Sequence, residues 1–429
     1  MKLILFEPLY MSQPSSITLD MCRQLDAEDS LAKLRDKFAF SSKGNIHFDA
    51  NSIGAMPIDV PDRIQRLMTE CWRDQSRRSW TTEDWAEKPR ILGGDISHMI
   101  GAGANDVVVC DNTTINLFKL LSYAWKIRNS GTVILTEAHN FPTDMHVLQG
   151  FMQLLKALKV DGQIRIAEDR AQILDMLDND VAVLYLTHVD YRSSERWDMA
   201  DINKKAKSVD ALTLWDLSQS AGVLDVDLGG TGADFAVGCG YKYMCGGPGG
   251  PAFLYLNPSH QKTAWPTIAG WMGHAKWNKF LSDFEPAGGA SSHLTGTPSV
   301  IANEVFAASA EIWRGVTRKA VATKHKSLTD MTIKLIEQEC GPLGAAVISP
   351  KNYDERGGHV AFRHDGAGPV SEALVDNGLI LSFRYPDSIR LGLGPLYHNH
   401  EDVWNAVKII KDVLTTEKWR DQKYEKVAI

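Results

Sequence analysis

Short, wholly apolar runs alternate with helical stretches from about residue 107 to residue 256, which predicts an α/β fold with a mostly parallel sheet. The runs Val107 to Cys110, Val181 to Leu186 and Phe235 to Val237 show no polar alternation, as expected of strands buried on both faces. Beyond two long helical stretches the pattern turns to alternating strands, GHVAFRH and LILSFRYPDSIRLGLG, which predict a smaller α+β unit at the C-terminus. The expected organisation has three segments: an N-terminal arm and helix over 1–60 that joins the small domain, a large domain over 61–316, and a small domain over 317–429.

In chain order, residues before about Ser16 read as a loose tail or docking arm, in which Met11 is an alternative start. The four apolar residues before Glu7 are too few for the core of a secretory signal. Apolar residues at Leu19, Cys22, Leu25, Leu31, Leu34 and Phe38 predict one helix over 17–38. A strand from Ile46 to Phe48 leads into DANSIG, a polar turn that either caps the next helix or faces a site. Helices are expected over 60–75 and 90–101. After the strand at 107, Asp111, Asn112, Thr113 and Thr114 open a helix whose apolar residues begin at Ile115. That start is either an ordinary cap or an anion site, because backbone N–H groups and the helix dipole converge there. A strand from Thr132 to Leu135 precedes NFPTD, and a helix over 199–209 precedes the strand ending in Asp216. Helices over 301–315, 317–338 and 401–416 complete the reading.

Net charge is −7, which argues against a nucleic-acid surface and against binding to anionic membranes. Six scattered cysteines include no C-x-x-C pair, so no zinc site or other metal is indicated, and a reducing cytoplasm is expected. No apolar run approaches the length of a membrane span.

The chemistry concentrates at 212–250. One apolar run ends in Asp216, and a second leads through Gly238 to Gly240 into Tyr241, Lys242 and a glycine-rich bend. Ligands of open α/β sheets sit beyond the carboxyl ends of the strands. An acid and a lysine meeting there suit an aldehyde cofactor with a basic ring nitrogen, pyridoxal 5'-phosphate. The lysine amine forms the Schiff base and the carboxylate keeps the ring nitrogen protonated. Phe141 can lie against such a ring.

WDLSQSAG, ADFAVGCGYKYMCGGPGGPAFLYL and GWMGHAKW resemble kynureninase, a family of fold-type I pyridoxal phosphate enzymes. The resemblance runs from FDANSIGAMP to RLGLGPLY. It implies that Lys242 is the cofactor lysine and general base. Tyr241 joins it in catalysis and, with Thr113, Thr114 and Trp271, holds the phosphate. Phe141 stacks on the cofactor, and Asp144, Asp216, Gln219 and Thr297 lie around it. It further implies that Ser52, Trp80 (beside Ser79), Gly296, Thr297 and Arg390 contact the substrate. A guanidinium grips a carboxylate with two parallel hydrogen bonds, which fits Arg390 to an amino acid. The resemblance also implies a homodimer with shared active sites.

Two positions depart from the family pattern. Gln219 stands where the family has His, and Cys245 where it commonly has Asn. The activity implied is cleavage at Cβ of an L-amino acid: hydrolysis of kynurenine or a ring-substituted kynurenine to an anthranilate and alanine. The alternatives are C–S lyase elimination in secondary metabolism on the same scaffold, and a non-catalytic homologue.

Overall fold

The computed structural model describes residues 16–262 and 264–424, so the segment read as an arm lies outside the described residues. Its centre is a seven-stranded sheet. The strands, in order across it, are Val107–Val109, Ala252–Leu256, Phe235–Cys239, Leu212–Asp216, Val181–Thr187, Val133–Glu137 and Gln163–Ala167. Only Ala252–Leu256 runs against the rest, pairing antiparallel with both neighbours. The remaining pairs are parallel. Most strand residues are buried, which explains the apolar runs in the sequence. The edge strand Gln163–Ala167, with exposed Gln163 and Ile166, has a polar pattern and went unread.

Helices Thr113–Ile127 and Pro142–Ala157 pack on one face, around Leu117, Leu121, Leu148 and Phe151. The other face is covered by Lys88–Ser97, Met199–Ser208 and Val300–Trp313, through Leu92, Ile202 and Phe306. A second core lies between helices Arg318–Leu335, Ala367–Asp376 and His400–Thr415 and a four-stranded antiparallel sheet. Cys22 and Phe48 belong to this core, and Ile46–His47 pairs in parallel with Leu379–Ile380.

The single helix expected over 17–38 is two pieces, Leu19–Ala27 and a 3-10 segment Ala32–Lys37. Asp29 causes the break. Its carboxylate accepts the Leu31 N–H at 2.8 Å and forms a buried ion pair with Lys324 at 2.6 Å. A side chain that serves the backbone in this way competes with helix continuation. The expected helix over 60–75 continues beyond Arg66 as a π-helical stretch, Leu67–Gln75. Among the described residues no helix is long and apolar enough to cross a membrane.

Candidate active site

Five parallel strands end at one cavity of about 280 Å³. Asp216 is the last residue of its strand, is 3% exposed, and accepts the Ser218 N–H at 2.7 Å. Asp144 lies in the first turn of Pro142–Ala157, 1% exposed, and accepts the Thr187 hydroxyl at 3.0 Å. Burial and the neighbouring Asp216 charge push the Asp144 carboxyl well above the usual range. Burial also raises Asp216, opposed by the Ser218 hydrogen bond and the charge of Lys242. Two carboxyls buried side by side share the cost of ionising, and a positive charge brought against them favours their ionised form.

Lys242 follows the Phe235–Cys239 strand by three residues. Its Nζ stands 6.0 Å from the centre of the Phe141 ring and 5.9 Å from that of Tyr241. Its backbone is pinned, because the Cys245 N–H donates to its carbonyl at 2.8 Å while Gly54 donates to the Tyr241 carbonyl at 2.9 Å. A Cβ on Gly54 would stand 2.2 Å from the Lys242 carbonyl oxygen, so only glycine permits this approach. Cys245 adopts φ 58°, a left-handed conformation that asparagine tolerates better than most residues. Burial pushes its thiol up to about 12, and it faces the same turn.

Asn112 caps Thr113–Ile127 by accepting the Ile115 N–H at 3.0 Å, and Thr113 and Thr114 stand beside it on the cavity wall. Arg390, which also lines the cavity, stands in the middle of the strand Ser388–Gly392 and is fully buried. Burial and the nearby Arg384 bring its guanidinium down to about 9, so it remains a cation at neutral pH.

Of the residues picked from the sequence, Ser52, Thr113, Thr114, Phe141, Asp144, Asp216, Gln219, Tyr241, Lys242 and Arg390 line this one cavity. The others stand elsewhere in the single chain. Gly296 and Thr297 line a neighbouring cavity that shares Asn112 with the first. Trp271 is 41% exposed and its indole N–H donates to the Trp277 carbonyl at 2.6 Å. Trp80 packs edge-on against Trp85, and the Ser79 hydroxyl donates to the Cys71 carbonyl at 2.6 Å. The sequence reading missed Thr187, Tyr191 and Arg384, which also line the cavity. Thr187 was within reach, since it ends a strand at the same edge as Asp216.

A mostly parallel sheet with the lysine, the carboxylates and the helix N-terminus at its carboxyl edge defines the fold-type I class of pyridoxal phosphate enzymes. Solved structures agree on the fold. A cysteine desulfurase from Thermococcus onnurineus NA1 matches with TM-score 0.73 at 18% identity, covering 90% of this chain and 98% of that one. The cystine C–S lyase C-DES matches with TM-score 0.71 at 17% identity, covering 86% and 97%. The chain belongs to the kynureninase family. It is 35% identical to the kynureninase of Pseudomonas fluorescens over 412 residues, 95% of this chain and 98% of that one. It is 37% identical to that of Burkholderia mallei over 406 residues, 93% and 96%. Residues 321–410 match the family model described as the kynureninase C-terminal domain.

Proposed function

We propose that the chain is a pyridoxal phosphate-dependent hydrolase of amino-acid metabolism that cleaves kynurenine, or a ring-substituted kynurenine, to an anthranilate and alanine. The observation that carries this is a single cavity lined by a lysine, two buried carboxyls and a buried arginine whose hydrogen-bond partners are neutral. The residues fit the cofactor. A protonated ring nitrogen answers Asp144 and Asp216, and a phosphate answers the hydroxyl-rich helix start. When bound, pyridoxal phosphate supplies an electron sink for charge that develops at the α-carbon.

Among the described lining residues Lys242 carries the sole amine, so its Nζ would hold the cofactor through its aldehyde and would serve as base for the α-proton. Asp216 would keep the ring nitrogen protonated, Phe141 would cover the ring, and Thr113 and Thr114 would hold the phosphate. Burial raises the Tyr241 phenol, so its O–H stays protonated and would donate a hydrogen bond to the cofactor's phosphate. Arg390 would orient the substrate's carboxylate, and Ser52 lines the cavity beside it.

The proposal includes a homodimer. Trp271 and Phe280 pack together with ring centres 5.6 Å apart and, with Leu281, stay exposed, the kind of surface that a partner covers. In such a dimer the region of Trp271, Gly296 and Thr297 from one copy would face the Lys242 cavity of the other. We also propose the division into 1–60 with 317–429, and 61–316, supported by Cys22 and Phe48 lying in the C-terminal core. A cytoplasmic location is proposed from the six free cysteines.

The test is a substrate panel of L-kynurenine, 3-hydroxykynurenine and S-substituted cysteines, ranked by kcat/KM. The proposal expects one of the two kynurenines to lead. A lead for the cysteines, with pyruvate, ammonia and a thiol as products, would establish a C–S lyase instead.

A further inference from the structure

Arg390 is buried, yet each described partner of its guanidinium is neutral. Nη1 donates to the Tyr191 carbonyl at 2.7 Å. Nε and Nη2 donate to the Ser382 hydroxyl oxygen at 3.2 and 2.9 Å, and Nη2 also reaches Ser52 Oγ at 3.3 Å. Ser382 sits directly across the antiparallel pair from Arg390, so the two side chains share a face of the small sheet. The same hydroxyl oxygen accepts from Asn51 Nδ2 at 3.4 Å. The Asn51 backbone carbonyl in turn accepts from Gln219 Nε2 at 3.3 Å. One connected path therefore runs from Gln219, three residues past Asp216, through Asn51 and Ser382 to Arg390.

Asn51 is well fixed for such a role. It is 1% exposed and lies against Gly392, two residues beyond Arg390 on the same strand. A Cβ on Gly392 would stand 2.1 Å from Asn51 Oδ1. Gly392 also donates to the Phe48 carbonyl at 2.8 Å, and its own carbonyl accepts the Ala50 N–H at 3.3 Å. The 48–51 segment is thus laid along the arginine's strand, and its other side touches the loop after Asp216.

We propose that Ser382 and Asn51 are positioning residues for the substrate carboxylate, and that Gln219 acts through them on Arg390. A serine hydroxyl fixes the guanidinium fork without neutralising it, which leaves the charge available to an incoming carboxylate. This rests on the reading of Arg390 as the carboxylate site. It gives Gln219 a role toward the substrate rather than toward the cofactor.

The experiment is a titration of the holoenzyme's visible absorbance with L-kynurenine and with the corresponding amine that lacks the carboxylate. Ser382→Ala is expected to weaken binding of the amino acid by about tenfold, with binding of the amine unchanged. Ser382→Thr, which keeps the hydroxyl, is expected to restore it. Gln219→Ala is expected to weaken the amino acid alone, to add little on top of Ser382→Ala, and to leave the absorbance maximum of the ligand-free holoenzyme in place. Equal weakening of both ligands, no weakening at all, or a moved absorbance maximum in Gln219→Ala would overturn the proposal. If the wild type bound amine and amino acid equally well, the carboxylate site itself would be misplaced, a failure distinct from that of the positioning path.

Discussion

Asp216 shows how much of a site one residue can reveal. The sequence places it at the end of a buried strand, and the structure places it there with its carboxylate buried beside Asp144. Asp216→Ala should leave the fold intact and cut turnover by far more than tenfold, because the ring nitrogen loses the partner that keeps it protonated. A fall smaller than tenfold, about 1.4 kcal/mol of barrier, would assign that role elsewhere. Gln219 was less legible. The resemblance sets it around the cofactor; it lines the cavity, and its amide Nε2 also donates to the Asn51 carbonyl. Asn51, Ser382 and Arg390 are hundreds of residues apart or on facing strands, so no local pattern joins them. Lys242 and Thr113 could be read because each stands beside the strand or helix end that explains it.

Elements were legible where burial makes a periodic pattern, and less so at edges and breaks. The helix start at 113 left two readings open, a cap or an anion cradle, and the structure shows the cap. Asn112 does the capping, and Thr113 and Thr114 line the cavity beside it, so the anion-cradle reading is open to a direct test. The double variant Thr113→Val with Thr114→Val should weaken cofactor retention on dialysis by about tenfold or more. Its melting temperature without cofactor should stay near that of the wild type. Unchanged retention with a lowered melting temperature would make the two threonines structural. The break at Asp29 was invisible in sequence because its partner, Lys324, lies on a distant helix.

For the whole molecule, the class of fold was legible from alternating elements, whereas the junction of the two cores had to be seen. Buried histidines add a pH dependence. His293 is 1% exposed, lies edge-on to Tyr123 with ring centres 4.9 Å apart, and is lowered to about 3 by burial and by Lys119 and Lys126. In the unfolded chain a histidine gains its proton near pH 6.5, whereas the folded one stays neutral, so the unfolded state binds more protons between these values. Its contribution to stability is therefore present above pH 6.5 and lost as pH falls toward 3, by about 1.4 kcal/mol per unit. His293→Leu should flatten the decline of melting temperature between pH 6.5 and 5, and an unaltered slope would show that His293 protonates in the fold.

The central claim is that this cavity, with Lys242 as its amine, hydrolyses the Cβ–Cγ bond of a kynurenine. The most direct measurement is the amount of alanine and anthranilate released from L-kynurenine by wild type and by Lys242→Ala, each loaded with pyridoxal phosphate. The account predicts equal amounts of the two products over many turnovers for the wild type and none for the variant. Pyruvate and ammonia in place of alanine, or equal product from the variant, would contradict it.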